Sequence, residues 1–148
     1  MAYTMKKMLL LLALLACQCT RGQHEPVNVL VIDRIGELSW ERELLNTKLQ
    51  GVESLCGRIE IPSEEIVIEY DAYMLAGEYV NPERYDMHNI QTEQVNGQSM
   101  MYVYDEGRLV VTFKGKGKSD GINFICKGID KQKCREVLAL LRSFKRAR

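Results

Sequence analysis

Proline is scarce and glycine modest in this sequence, with 3 and 11 residues among 148, and no stretch concentrates them into a flexible linker. Histidine is scarcer: His24 and His88 are the whole supply. His-Glu-x-x-His, Gly-x-Ser-x-Gly and the cysteine–histidine signatures are missing, which leaves the common metalloprotease and nucleophilic-hydrolase chemistries without a motif. The five cysteines form no Cys-x-x-Cys, so neither a thioredoxin-like redox motif nor a zinc knuckle is indicated. No Asn-x-Ser/Thr occurs, and N-glycosylation is not expected. Net charge is absent too: 20 Lys+Arg stand against 20 Asp+Glu, so the chain as a whole has no bulk attraction to nucleic acid or membrane. The apolar run Met8–Ala16 falls short of the roughly 20 residues that cross a bilayer as a helix. No internal repeat suggests a solenoid.

What remains is an ordinary globular composition. Hydrophobic residues make up 46% and charged residues 27%, which excludes intrinsic disorder, a collagen-like fibre and a multi-span membrane protein. The length suits one domain. Lys6-Lys7 followed by Met8–Ala16 has the form of a basic n-region and the apolar core of an export signal. The segments expected are therefore a signal peptide over 1–22 and a single domain over 23–148.

Leu14-Leu15-Ala16-Cys17 resembles the lipobox of bacterial lipoprotein signals. That resemblance implies cleavage before Cys17, lipidation of Cys17 and a periplasmic or membrane-tethered domain. The rival is secretory cleavage after Gly22, where Thr20 and Gly22 are small enough for the cleavage pocket. Cleavage before Cys17 leaves Cys19, Cys56, Cys126 and Cys134 as thiols; cleavage after Gly22 leaves three. Export permits disulfides, and Cys126 and Cys134 are close enough in sequence to pair. The alternative is that these cysteines are small buried apolar residues.

Hydrophobic periodicity predicts an α+β fold. Val27–Asp33 is apolar on both faces and reads as a strand covered on both sides. Ser39 to about Gln50 reads as a helix, with Leu38, Leu45 and Leu49 on its apolar stripe and Gly51 ending it. Arg58–Ile61 is a short extended piece before Pro62. Ile66–Met74 alternates, with Ile66, Ile68, Tyr70, Ala72 and Met74 facing inward. Leu75–Asp86 reads as a loop. Four strands follow: His88–Val95, Gln98–Tyr104, Arg108–Lys114 and one lined by Ile122, Phe124 and Cys126. Asn96-Gly97 is a strong hairpin signal, since both turn positions need positive φ. Asp130 caps an amphipathic helix to about Phe144. The expectation is a four-strand antiparallel meander packed by a C-terminal amphipathic helix.

Charge is unevenly spread under its zero sum. His24–Gly107 carries 5 basic and 17 acidic residues (5 − 17 = −12), while Arg108–Arg148 carries 12 basic and 3 acidic (12 − 3 = +9). Three consequences are open. The two halves could pack together and neighbour each other, the basic half could face anionic lipid or an acidic partner, or acidic and basic faces could meet between copies. The basic half has a distinctive loop in which Lys114, Lys116 and Lys118 alternate with Gly115 and Gly117. Glycines let a backbone approach a ligand and three ammonium groups suit an anion, so these lysines are the candidate anion site. Alternatively they are a solvated hairpin tip. Gly117-Lys118-Ser119 resembles the end of a P-loop, but Thr112 stands at the required earlier glycine and a strand follows where a helix is needed. Glu69 and Asp71, on one face of one strand, with His88, are the residues from which an acid–base site could be built. Their alternative is a solvated strand face. The reading is a non-catalytic binding or envelope-structural domain with no cofactor and no metal; the alternative is a small periplasmic or secreted enzyme with a carboxylate site, or a self-associating secreted protein.

Overall fold

Alternation of buried and exposed side chains sets several of the strands, those over Asn28–Ile32, Gly36–Trp40, Leu55–Ile61 and Ile66–Ala72 among them. A computed structural model describes residues 28–49, 55–72, 80–81, 83–115 and 121–147. The strands are β1 (Asn28–Ile32), β2 (Gly36–Trp40), β3 (Leu45–Leu49), β4 (Leu55–Ile61), β5 (Ile66–Ala72), β6 (Gln91–Val95), β7 (Gln98–Asp105), β8 (Arg108–Phe113), β9 (Ile122–Lys127) and the two-residue β10 (Lys145–Arg146). Among the described residues one α-helix, α1 (Lys131–Leu141), lies between β9 and β10. All strand pairs are antiparallel and the class is α+β.

The sheet is larger than the four-strand meander expected. β6 to β9 are indeed consecutive neighbours, but they form one side of a seven-stranded sheet in the order β3-β4-β5-β9-β8-β7-β6. A second, three-stranded sheet runs β1-β2-β10. Of the three further strands in the seven-stranded sheet, β4 and β5 contain the extended pieces expected at 58–61 and 66–74; the third, β3, comes from the stretch expected to be a helix over 39–50. That stretch is instead β2, a bend and β3. Leu45 and Leu49 are four residues apart, an even spacing that a strand satisfies as well as a helix. Leu38 pairs with Leu30 of β1 and is fully buried, with Gly36 buried two residues earlier, so period two governs this segment. Cross-strand pairing with β1 and β4 overrides a helix propensity already weakened by Asn46 and Thr47.

β1 is likewise covered on one face only. Leu30 and Ile32 enter the core, whereas Val29 and Val31 are 55% and 63% exposed. β5 alternates as expected, with Ile66, Ile68, Tyr70 and Ala72 buried; Met74 lies outside the described residues. The strand expected from His88 begins only at Gln91, because Met87–Asn89 forms a 3-10 turn whose His88 N–H donates to the Asp86 carboxylate at 3.0 Å.

The core joins both sheets to the helix. Asp130 accepts from Lys133 N–H at 2.8 Å and starts α1, which buries Cys134, Val137, Leu138, Leu140 and Leu141. The helix stops at Leu141 rather than Phe144. Ser143 N–H and Phe144 N–H donate three residues back, to Leu140 O and Leu141 O, and this tighter turn drives Phe144 into the core. Its ring lies 4.8 Å from Phe113 and 5.8 Å from Phe124, centroid to centroid. Phe144 then leads directly into β10. A Cβ on Gly36 would overlap Lys145 O and the Phe144 ring, so only glycine lets β2, β10 and Phe144 meet there. A smaller apolar cluster on the other face of the main sheet, made of Val80, Met101, Val103 and Val110, is covered by Tyr85 and Ile90.

Candidate functional site

The return of the chain through β10 creates a groove. β10 pairs with β2, bringing Lys145 opposite Glu37 and Arg146 opposite Gly36. The β6–β7 hairpin rises beside it. Asn96 and Gly97 both have positive φ, 49° and 78°, which is the two-residue turn expected from their sequence. Asn96 Nδ2 donates to Arg142 O at 3.3 Å and Phe144 O at 2.9 Å. These bonds fill carbonyls left open at the end of α1 and pin the hairpin to the approach of β10. Arg146 Nε donates to Gln98 Oε1 at 3.2 Å, a second tie across the same gap.

The groove holds about 860 Å³ and is lined by the β1–β2 turn (Val31, Ile32, Arg34), by Gly36 and Glu37, by Asn96 and Gln98, and by Lys145, Arg146 and Ala147. Three cations and one acid line it, a local excess of 3 − 1 = +2. Val31, Glu37 and Lys145 form one cross-strand row, so the acid lies between an exposed apolar side chain and a lysine. Arg34 occupies the left-handed region, with φ 59°, at the tip of a turn closed by Ile35 N–H donating to Ile32 O at 2.9 Å. A non-glycine residue in this conformation costs free energy, and such residues gather at functional positions.

Of the lysines expected to bind an anion, Lys114 is exposed. Its N–H donates to Ser99 O at 3.1 Å, which puts it at the end of the main sheet where Gln98 starts β7. Lys116, Lys118 and Cys17 lie outside the described residues. Lys145 and Arg146, which follow the helix expected to about Phe144, belong to β10 and the groove. Arg34 gives no local signal of a site. It stands in the acidic half, and its role depends on residues more than 60 positions away (from 34 to 96–98 and 145–147).

The carboxylate alternative finds less to stand on. Glu69, on the outward face of β5, lies 3.9 Å from both Arg58 and Lys127 and acts as an ion-pair partner. Asp71 neighbours Asn123 across β5 and β9, with one carboxylate oxygen buried. His88 is exposed in the turn before β6. The groove is lined by none of the three, and neither is a smaller hollow of about 260 Å³ bounded by Tyr85, Val103, Asp105, Glu106, Arg108 and Val110. Among the described residues no cluster of three His, Cys, Asp or Glu side chains could hold a metal ion.

Cys126 and Cys134 both enter the main core, and their thiols are free in this structure, as is that of Cys56. The Cys126 thiol donates to Val67 O at 3.1 Å. Burial, reinforced by the neighbouring Cys134, pushes the Cys126 thiol up to about 11, so it is protonated at neutral pH and a poor nucleophile. The chain matches no protein-family model, no curated protein and no solved structure.

Proposed function

We propose that this chain is an exported envelope protein, tethered through a lipid on Cys17, whose domain holds an anionic lipid surface in the groove and catalyses no reaction. The observation that carries the reading is the meeting of Arg34, Lys145 and Arg146 around one groove beside the exposed Val29 and Val31. Cations near an anionic bilayer each contribute about 1 kcal/mol, and apolar side chains beside them add contact with the acyl boundary. The short reach of the tether supports it. Ten residues lie between Cys17 and Asn28 at the start of β1, eleven steps that span at most about 40 Å when extended. β1 carries both valines and leads into the Arg34 turn, so a lipid at Cys17 keeps this side of the domain close to headgroups.

Two measurements test the reading. The intact mass of the processed protein from the membrane fraction of its host is expected to begin at Cys17 with added acyl mass. A soluble product beginning at Gln23 would remove the tether and make the protein secreted. Separately, Cys17→Ser protein is floated with vesicles of phosphatidylglycerol or phosphatidylcholine. Binding to the anionic vesicles alone is expected, and the combined Arg34→Gly, Lys145→Gln and Arg146→Gln variant is expected to lose it. Equal binding by this variant would remove the groove from the function.

A further inference from the structure

The main sheet has two edges, and they differ. β6 presents Gln91, Thr92 and Gln94 to solvent, all polar. β3 presents Leu45, Thr47 and Leu49 on one face, both leucines 44% exposed, and among the described residues its hydrogen-bonded neighbour in the sheet is β4 alone. Natural edge strands are usually blunted by charge, proline or a bulge, because an open edge templates pairing with another chain. β3 contains no proline and one cation, Lys48, whose ammonium lies 3.7 Å from the Asp33 carboxylate on the β1–β2 turn. The inward side of the strand is already occupied: Asn46 Oδ1 accepts from Tyr70 OH at 3.1 Å. The apolar edge of the small sheet, β1, has Val31 in the groove wall and is accounted for by that site.

We propose that β3 pairs with β3 of a second copy across a two-fold axis at Thr47, joining two seven-stranded sheets into one. The sequence Leu45-Asn46-Thr47-Lys48-Leu49 is self-complementary in this register. Leu45 faces the partner's Leu49, Asn46 the partner's Lys48, and Thr47 the partner's Thr47. All five residues pair, both leucines of each copy are covered by leucines, and no like charges oppose. Shifting the axis to Lys48 sets two ammonium groups against each other, and shifting it to Asn46 leaves Leu49 outside the pairing. A two-fold interface of this kind is isologous and closes at two copies. Directly opposed side chains of an antiparallel pair have Cβ atoms about 4.5–5.5 Å apart, and direct cross-strand pairs of leucines supply the local stabilisation.

The register makes the test specific. Thr47→Cys and, separately, Leu45→Cys are introduced into the full chain expressed in its host, with mild oxidation and non-reducing electrophoresis as the readout. A thiol at position 47 lies opposite its own copy at disulfide distance. A thiol at position 45 lies about 13 Å from its copy, four residues along the strands, which is beyond a disulfide. A linked dimer from Thr47→Cys and none from Leu45→Cys or the wild type is expected. Equal linkage of both, or of neither, overturns the register. Sedimentation then compares purified wild type with Leu45→Lys/Leu49→Lys, whose folding is checked by circular dichroism. Dimer for the first and folded monomer for the second is expected. A wild type that stays monomeric up to about 1 mM, the weak limit of specific association, overturns the pairing itself.

Discussion

Arg34 stores backbone strain at the mouth of the groove, and that makes its two contributions separable. Its φ of 59° suits glycine better than arginine. Arg34→Gly relieves the strain, and the greater freedom of glycine in the unfolded chain takes back part of the gain. The net expectation is a stability unchanged or raised by about 1 kcal/mol or less, read as a midpoint shift in urea unfolding. Binding to phosphatidylglycerol vesicles is expected to weaken in the same variant. A variant that is less stable and binds normally would show that the strained turn serves only the fold.

At the scale of elements, the tie between β6 and the end of α1 is an ion pair with a pH signature. Arg142 donates to Glu93 through Nε at 2.9 Å and through Nη2 at 2.8 Å, and Tyr102 OH donates to the same carboxylate at 3.0 Å. The Arg142 bonds hold the Glu93 carboxyl below its ordinary value, partial burial opposes them, and the Tyr102 bond adds to the lowering. A carboxyl whose value is lowered by folding stabilises the fold at neutral pH, above its unfolded value. That stabilisation is lost as pH falls through the folded value. Both side chains are partly exposed, at 43% and 31%, so the pair contributes about 1 kcal/mol or less. Glu93→Gln is expected to lower the midpoint of unfolding at pH 7, by an amount that shrinks as pH falls through the lowered Glu93 value. A deficit as large in acid as at pH 7 would mean that the substitution acts through packing.

The same scale explains what could be read from sequence. α1 and β5 carry clean periodicity, and the run from β6 to β9 is divided by turn residues whose φ requirement is local, so their existence followed from neighbouring residues. β2 and β3 did not, because Leu38 and Leu45 acquire meaning only from strands paired with them. The groove was hidden for a further reason. β10 is two residues long and has no period, and it exists because Phe144 is buried and Gly36 leaves room for the Lys145 carbonyl. A site assembled from residues 31–37, 96–98 and 145–147 has no spacing that could announce it.

For the whole molecule, the described parts of the acidic and basic halves interleave. The acidic-half strand β5 lies beside the basic-half strand β9, and β7 lies beside β8. Ion pairs cross between the halves at Glu69–Lys127, Glu93–Arg142 and Arg42–Glu136. Interleaving of this kind also couples the two sheets, since Phe144 packs on Phe113 and Phe124 of the large sheet while the residues after it pair with β2 of the small one. The single tryptophan makes the coupling measurable. Trp40 ends β2 and packs half-buried against the main core, so its fluorescence reports the small sheet, whereas far-ultraviolet circular dichroism is dominated by the large one. One cooperative unit requires both signals to change at the same urea concentration. Phe144→Ala removes the shared ring and is expected to cost about 3–5 kcal/mol, with the Trp40 transition moving ahead of the circular dichroism one. Coincident transitions in that variant, shifted equally, would mean that the small sheet is held by its other contacts. Separate transitions already in the wild type would mean that the groove between the sheets opens without global unfolding.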